Sequence, residues 1–154
     1  MDANVVTERS GRSPRWGLMG RHWVRIGGEP FIDRRQVVQV PWFSLLVSRI
    51  HGPDAGRDPH DHSRWFASLI LSGGYCETVY LDPADLARVR VRRHRRWSVH
   101  VMRPEHAHLI TAVSGPLRTV VLAGRHRGTW SFWTPDGQVD WRAYGAAESE
   151  GEAS

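Results

Sequence analysis

The chain contains no lysine; all 21 of its basic side chains other than histidine are arginines. Without a side-chain amine there is no Schiff-base nucleophile, no pyridoxal-phosphate anchor and no Walker-type phosphate loop. Cysteine is almost as scarce. The single one, Cys76, excludes an internal disulfide framework and fits a reducing compartment, so a cytoplasmic location is expected. Apolar runs approaching the ~20 residues of a membrane span are missing. Residues 1–14 are polar and lack the apolar centre of a secretory signal. Neither a G-x-S-x-G elbow nor a G-x-G-x-x-G fingerprint occurs, which weakens hydrolase and nucleotide-dependent readings. Metal chemistry is what remains.

The most informative stretch present is His60-Asp61-His62. Successive side chains of a strand alternate sides, so two histidines one residue apart offer both imidazoles to one ion. A third ligand can come from the extended run Glu105-His106-Ala107-His108-Leu109-Ile110. His106 and His108 share a face of that run, so either could reach the metal, or both. Three neutral imidazoles with open positions bind substrate as well as metal. Arg64 lies on the His60/His62 face of a regular strand and could pair a substrate carboxylate bidentately. Tyr75 and Tyr80 could supply a phenol. Cys76 reads as a small buried residue, and Trp130, Phe132 and Trp133 as core. His100 shares a face with Ser98 and reads equally well as solvent-facing, while His22, His51, His94 and His126 read as surface residues.

At 154 residues the chain suits one domain with a real core. Residues 1–15 are polar and 145–154 small and acidic, so disordered tails are expected around a single domain at 16–144. Within it, β-prone stretches recur at 36–50, 65–71, 75–81, 97–102, 106–113, 117–123, 129–134 and 138–144. Gly, Pro, Asp and Ser separate them, as at Ser72-Gly73-Gly74, which reads as a turn with 75–80 returning, and at Ser114-Gly115-Pro116. Residues 82–87 suggest a short helical turn capped by Asp82, with Pro83 at its first position. Short strands at this spacing predict a sandwich or jelly-roll barrel with a pocket at its mouth.

The net charge of +5 is concentrated between Arg88 and Arg96. Its first half alternates, which predicts a strand with Arg88, Arg90 and Arg92 outward and Val89 and Val91 in the core. Such a face attracts anions in a salt-dependent way. No nucleic-acid motif accompanies it, so nucleic acid is not an expected partner.

Together these residues resemble a small single-domain cupin, of a bacterial and phage cupin-like group with an RmlC-like jelly roll. The shared pattern is Trp42-Phe43-Ser44, His60-Asp61-His62, Ser68-Leu69-Ile70-Leu71 with Gly73-Gly74-Tyr75, Arg103 followed by Ala107-His108, Trp130-Ser131-Phe132-Trp133, and Trp141 near Tyr144. It spans roughly residues 36–144. The resemblance implies an all-β, cupin-type double-stranded β-helix and a metal on His60, His62 and, in preference to His106, His108. Two departures stand out. Phe66 and Ala67 occupy the positions where many cupins carry a glutamate, and Arg103-Pro104-Glu105-His106-Ala107-His108 lacks the usual glycine of the second motif. The implied centre is three histidines without a carboxylate, similar to that of thiol dioxygenases. This implies an iron(II)-dependent, dioxygenase-like oxidoreductase acting on a small anionic substrate, with manganese, nickel, copper or zinc as other occupants. Isomerisation or epimerisation is a variant of that class, and a non-catalytic cupin that binds or senses a small anion is the alternative. Sheet extension into a homodimer would suit such a fold.

Overall fold

Two glycine corners shape the molecule. The computed structural model describes residues 17–26, 29–54 and 58–144, with side chains from Phe31 onward. Among the described residues nine strands follow one another: β1 Gly17–Ile26, β2 Glu29–Gln39, β3 Phe43–Ile50, β4 Phe66–Tyr80, β5 Val89–His94, β6 Val99–Met102, β7 Ala107–Gly124, β8 Ser131–Thr134 and β9 Gly137–Asp140. All pairings between them are antiparallel. The turn expected at Ser72-Gly73-Gly74 is not a turn. β4 runs straight through it for 15 residues, and β7 runs through Ser114-Gly115-Pro116 for 18. The two strands pair along their lengths, with register shifts beside Ser72 and with Gly74 opposite Ser114. Gly73 and Gly115 have φ of 70° and 66°. Backbone with positive φ bends both strands at one place, as bulges do.

The bend lets the two strands serve both halves of one seven-stranded sheet. Their outer halves, 66–72 of β4 and 117–124 of β7, join β1, β2, β3 and β6; their other halves, 74–80 and 107–114, join β5. The facing halves close over Ile70, Tyr75, Ile110 and Leu117, with Ile50 and Val113 against them. This is the double-stranded antiparallel barrel that the resemblance implies.

Other expectations shift with it. The strand read at 36–50 is two strands, β2 and β3, joined at Val40–Trp42. β1, whose apolar residues Leu18, Met19, Trp23, Val24 and Ile26 are broken by Gly20, Arg21 and His22, was not read as a strand. Residues 141–144 form one helical turn after β9 rather than more strand. The capped helical turn at 82–87 is a pair of aspartate turns, in which Asp82 Oδ1 and Asp85 Oδ1 accept from the amides of Ala84 and Ala87. On β5 the expected alternation does not form. Arg88 and Arg90 are exposed as expected and Arg92 is half-buried, but Val89 and Val91, expected in the core, are 43 % and 72 % exposed. The expected tails at 1–15 and 145–154 lie outside the described residues.

Candidate metal centre

His60-Asp61-His62 is not a full strand. It is an extended segment slotted between β7 and β8, with His60 bridged to both His108 and Phe132. The backbone amides of His60 and His108 each donate to the other's carbonyl, at 3.1 and 2.9 Å. Asp61 points to the side opposite the histidines, as alternation requires. Its buried carboxylate accepts from Ser131 N at 2.7 Å, Ser131 Oγ at 2.5 Å and Trp133 Nε1 at 2.9 Å. One aspartate therefore pins the histidine segment to β8.

The imidazoles of His60, His62 and His108 come together. One ring nitrogen from each lies within 4.8 Å of the others, and ring centroids are 4.9 to 5.2 Å apart. His62 Nε2 and His108 Nε2 are 3.0 Å apart. Two imidazoles on one ion, with metal–nitrogen bonds of about 2.0–2.1 Å, place their bound nitrogens roughly 3 Å apart. The donor set fits a divalent transition metal. His106 is not in this group; it sits in the turn before β7, where its amide donates to Arg103 O, so the shared face expected of His106 and His108 does not form.

Glu77, on β4, supplies a carboxylate behind the ligand rather than on the metal. It is fully buried, accepting from His108 Nδ1 at 2.8 Å and from His94 Nε2 at 2.7 Å. A carboxylate only accepts, so His108 carries its proton on Nδ1 and turns the Nε2 lone pair toward His62. Burial alone would raise the Glu77 pKa; the hydrogen bonds from His108 and His94 outweigh it and hold the group well below the usual carboxylate range. His62 is pushed well below the ordinary histidine value, first by burial and then by the charges of His108 and Arg34. A neutral imidazole is the form a metal needs.

Two arginines lie near His62: Arg34 on β2, and Arg64 two residues further along the histidine segment. Arg34 Nε donates to Ser48 Oγ at 3.2 Å, and Arg64 Nη1 donates to Ser44 Oγ at 2.9 Å. Their partners here are neutral hydroxyls. Burial lowers both guanidinium pKa values, and in Arg34 the nearby charge of Arg64 adds to it. The Arg64 segment is held where Trp65 lies over Gly124: a Cβ on Gly124 would sit 2.2 Å from Trp65 Nε1.

Tyr75 is buried on the far side of Glu77, its hydroxyl 2.8 Å from His100 Nε2. Of the aromatic trio read as core, Phe132 and Trp133 are buried and Trp130 is half-buried near His60. Sequence reasoning missed Glu77, Arg34, His94 and His100. A signal existed for Glu77, which alternates with the core residues Tyr75 and Val79 and so had to point inward. His94 and His100, read as surface or indifferent, are both buried.

No family model and no curated protein matches the chain by sequence. Among solved structures, Fe(II)-HppE with an alternative substrate, (S)-1-HPP, aligns with a TM-score of 0.52 at 12 % identity, over 70 % of this chain and 55 % of that one. FeII HppE alone aligns with a TM-score of 0.51 at 10 % identity, over 69 % and 56 %. KdgF from Halomonas sp. gives 0.49 at 16 % identity, over 62 % and 80 %. The fold is a cupin-type β-barrel, and the chain spans just over half the length of HppE.

Proposed function

We propose that the protein is an iron(II)-dependent, oxygenase-like enzyme acting on a small anionic substrate at His60, His62 and His108. The observation that carries this reading is the convergence of three imidazoles beside two guanidinium groups whose hydrogen-bond partners, among the described residues, are neutral. Three neutral ligands leave the full charge of a divalent ion in place, and Arg34 and Arg64 add to it, so the cavity favours an anion. When bound, iron(II) supplies dioxygen activation and Lewis acidity. Iron leads among manganese, nickel, copper and zinc because the fold is shared with Fe(II)-HppE. The chain's own residues do the rest. Arg64, with Arg34, would seat the substrate's acidic group by charge-assisted hydrogen bonds. Glu77 keeps His108 in the ligating tautomer, and Asp61 keeps the His60 segment in place. Tyr75 reaches His100 and not the metal ligands, so it supports the interior rather than touching substrate.

The test is oxygen uptake by anaerobically iron-loaded protein with a panel of small thiol, carboxylate and phosphonate anions. Uptake abolished by His62→Ala, with KM raised at least tenfold by Arg34→Gln or Arg64→Gln, is the expected result. A charge-assisted hydrogen bond of about 1.5–3 kcal/mol sets that scale. Tight anion binding with no turnover would favour a binding or sensing role. A panel that neither binds nor reacts would remove the reading.

A further inference from the structure

The three-histidine group is one of two clusters among the described residues whose donor atoms could hold a metal ion. The other, Glu77, His94 and His100, is buried throughout, with one ligand atom from each within 4.8 Å of the others. We infer that Glu77, His94 and His100 form a second divalent-metal site, deeper in the barrel and joined to the first through the two oxygens of Glu77.

Three observations converge on it. The donor set comes first. Two imidazoles and one carboxylate are a standard ligand set for first-row divalent ions such as Fe²⁺, Co²⁺ and Zn²⁺. The rings of His94 and His100 lie 4.2 Å apart, and Glu77 Oε1 is 2.7 Å from His94 Nε2, so modest side-chain rotation brings all three donors onto one ion. Cation binding replaces the His94–Glu77 hydrogen bond by two metal bonds, the imidazole proton moving from Nε2 to Nδ1. Charge comes second. Glu77 is a buried anion whose hydrogen-bond partners are imidazoles rather than a guanidinium, and buried charges are as a rule paired or bound to metal. The third is a further polar group: the Tyr75 hydroxyl reaches His100 at 2.8 Å.

The site stands whether or not the first one binds metal, and the experiment separates them. Chelator-stripped full-length protein is titrated anaerobically with Co²⁺, and bound equivalents are read by elemental analysis and visible absorption. Two equivalents with two distinguishable cobalt spectra are expected for the wild type. One should survive in His60→Ala/His62→Ala, and a different one in His94→Asn or His100→Gln. Reading the wild type keeps the outcome decisive even where a variant fails to fold. A single equivalent lost only with His94 or His100 supports this site and overturns the three-histidine centre. A single equivalent lost with His60 and His62, but kept by the His94 and His100 variants, overturns this site and leaves Glu77 as a hydrogen-bonded support. No bound cobalt at all overturns both.

Discussion

Single side chains here hold others in place from one layer behind. Asp61 touches no candidate substrate position, yet it fixes the two histidines on either side by gathering three donors from β8. Asp61→Ala strands the Trp133 indole N–H and the Ser131 donors in a buried setting. Leaving such groups unpaired costs about 1–3 kcal/mol each, so a fall in unfolding free energy of about 2–4 kcal/mol is expected by urea titration. Metal affinity should fall with it, although Asp61 is no ligand. A folded Asp61→Ala protein with unchanged affinity would show that the histidine segment needs no pin. Glu77→Gln addresses orientation instead. The amide can still accept from His108 Nδ1 but loses the charge, and carboxylates placed behind a ligand are typically worth 10–100-fold in metal affinity. Competition with a chelator reads that ratio, and a ratio near one would end the orienting role.

At the scale of elements, the two long strands depend on their bulges. Gly73 has φ of 70°, and a Cβ there would meet Ser114 O at 2.7 Å and Pro116 O at 3.0 Å, both backbone atoms. Gly73→Ala therefore adds a backbone clash to the ~1–3 kcal/mol of a non-glycine residue held in that region. The melting temperature should drop by at least several degrees, and an unshifted melt would mean that the corner relaxes freely. The same glycines explain which parts of the fold were legible. Strand-prone stretches on either side of Gly73 and Gly115 were visible, since Val, Ile, Leu and Tyr dominate them. Glycine signals a change of backbone direction and not its kind, so a hairpin turn and a bulge read alike until the partner strand is known. The His60/His62 pair and His108 were legible from spacing and resemblance. Glu77 was not weighed because a strand glutamate ordinarily faces water. Only the register that brings His94 and His108 to its two oxygens makes its burial tolerable.

Taken as a whole, the barrel is turned partly inside out. Ser44, Ser48, Ser68, Thr119 and His100 line its interior, while Val99 and Val101 on the same sheet are 65 % and 53 % exposed. The rule that apolar residues face inward consequently misplaced Val89 and Val91 of β5. The polar interior also sets how stability depends on pH. An unfolded histidine takes up its proton near pH 6.5. In the folded chain, burial first and then the His94 charge push His100 down to about 4, with Glu77 opposing and His108 and Arg92 adding. His62 is shifted in the same direction. Between the two values the unfolded chain holds a proton that the folded chain does not, so acidification favours unfolding. The stabilisation is complete above about pH 6.5 and is lost as pH falls toward 4, at about 1.4 kcal/mol per unit and on the order of 3 kcal/mol for His100 alone. Glu77, ionised when folded, extends the loss below the ordinary carboxylate value of about 4.3 by the same logic. Metal-free protein is therefore expected to melt at a nearly constant temperature above pH 7 and at steadily lower temperatures between pH 6.5 and 4, with a shallower slope in His100→Gln. Saturating divalent metal should raise the plateau and steepen the fall, because protons compete for the same imidazole nitrogens. Melts that stay level from pH 7 to 4.5, with metal or without, would mean that these histidines are not held neutral by the fold.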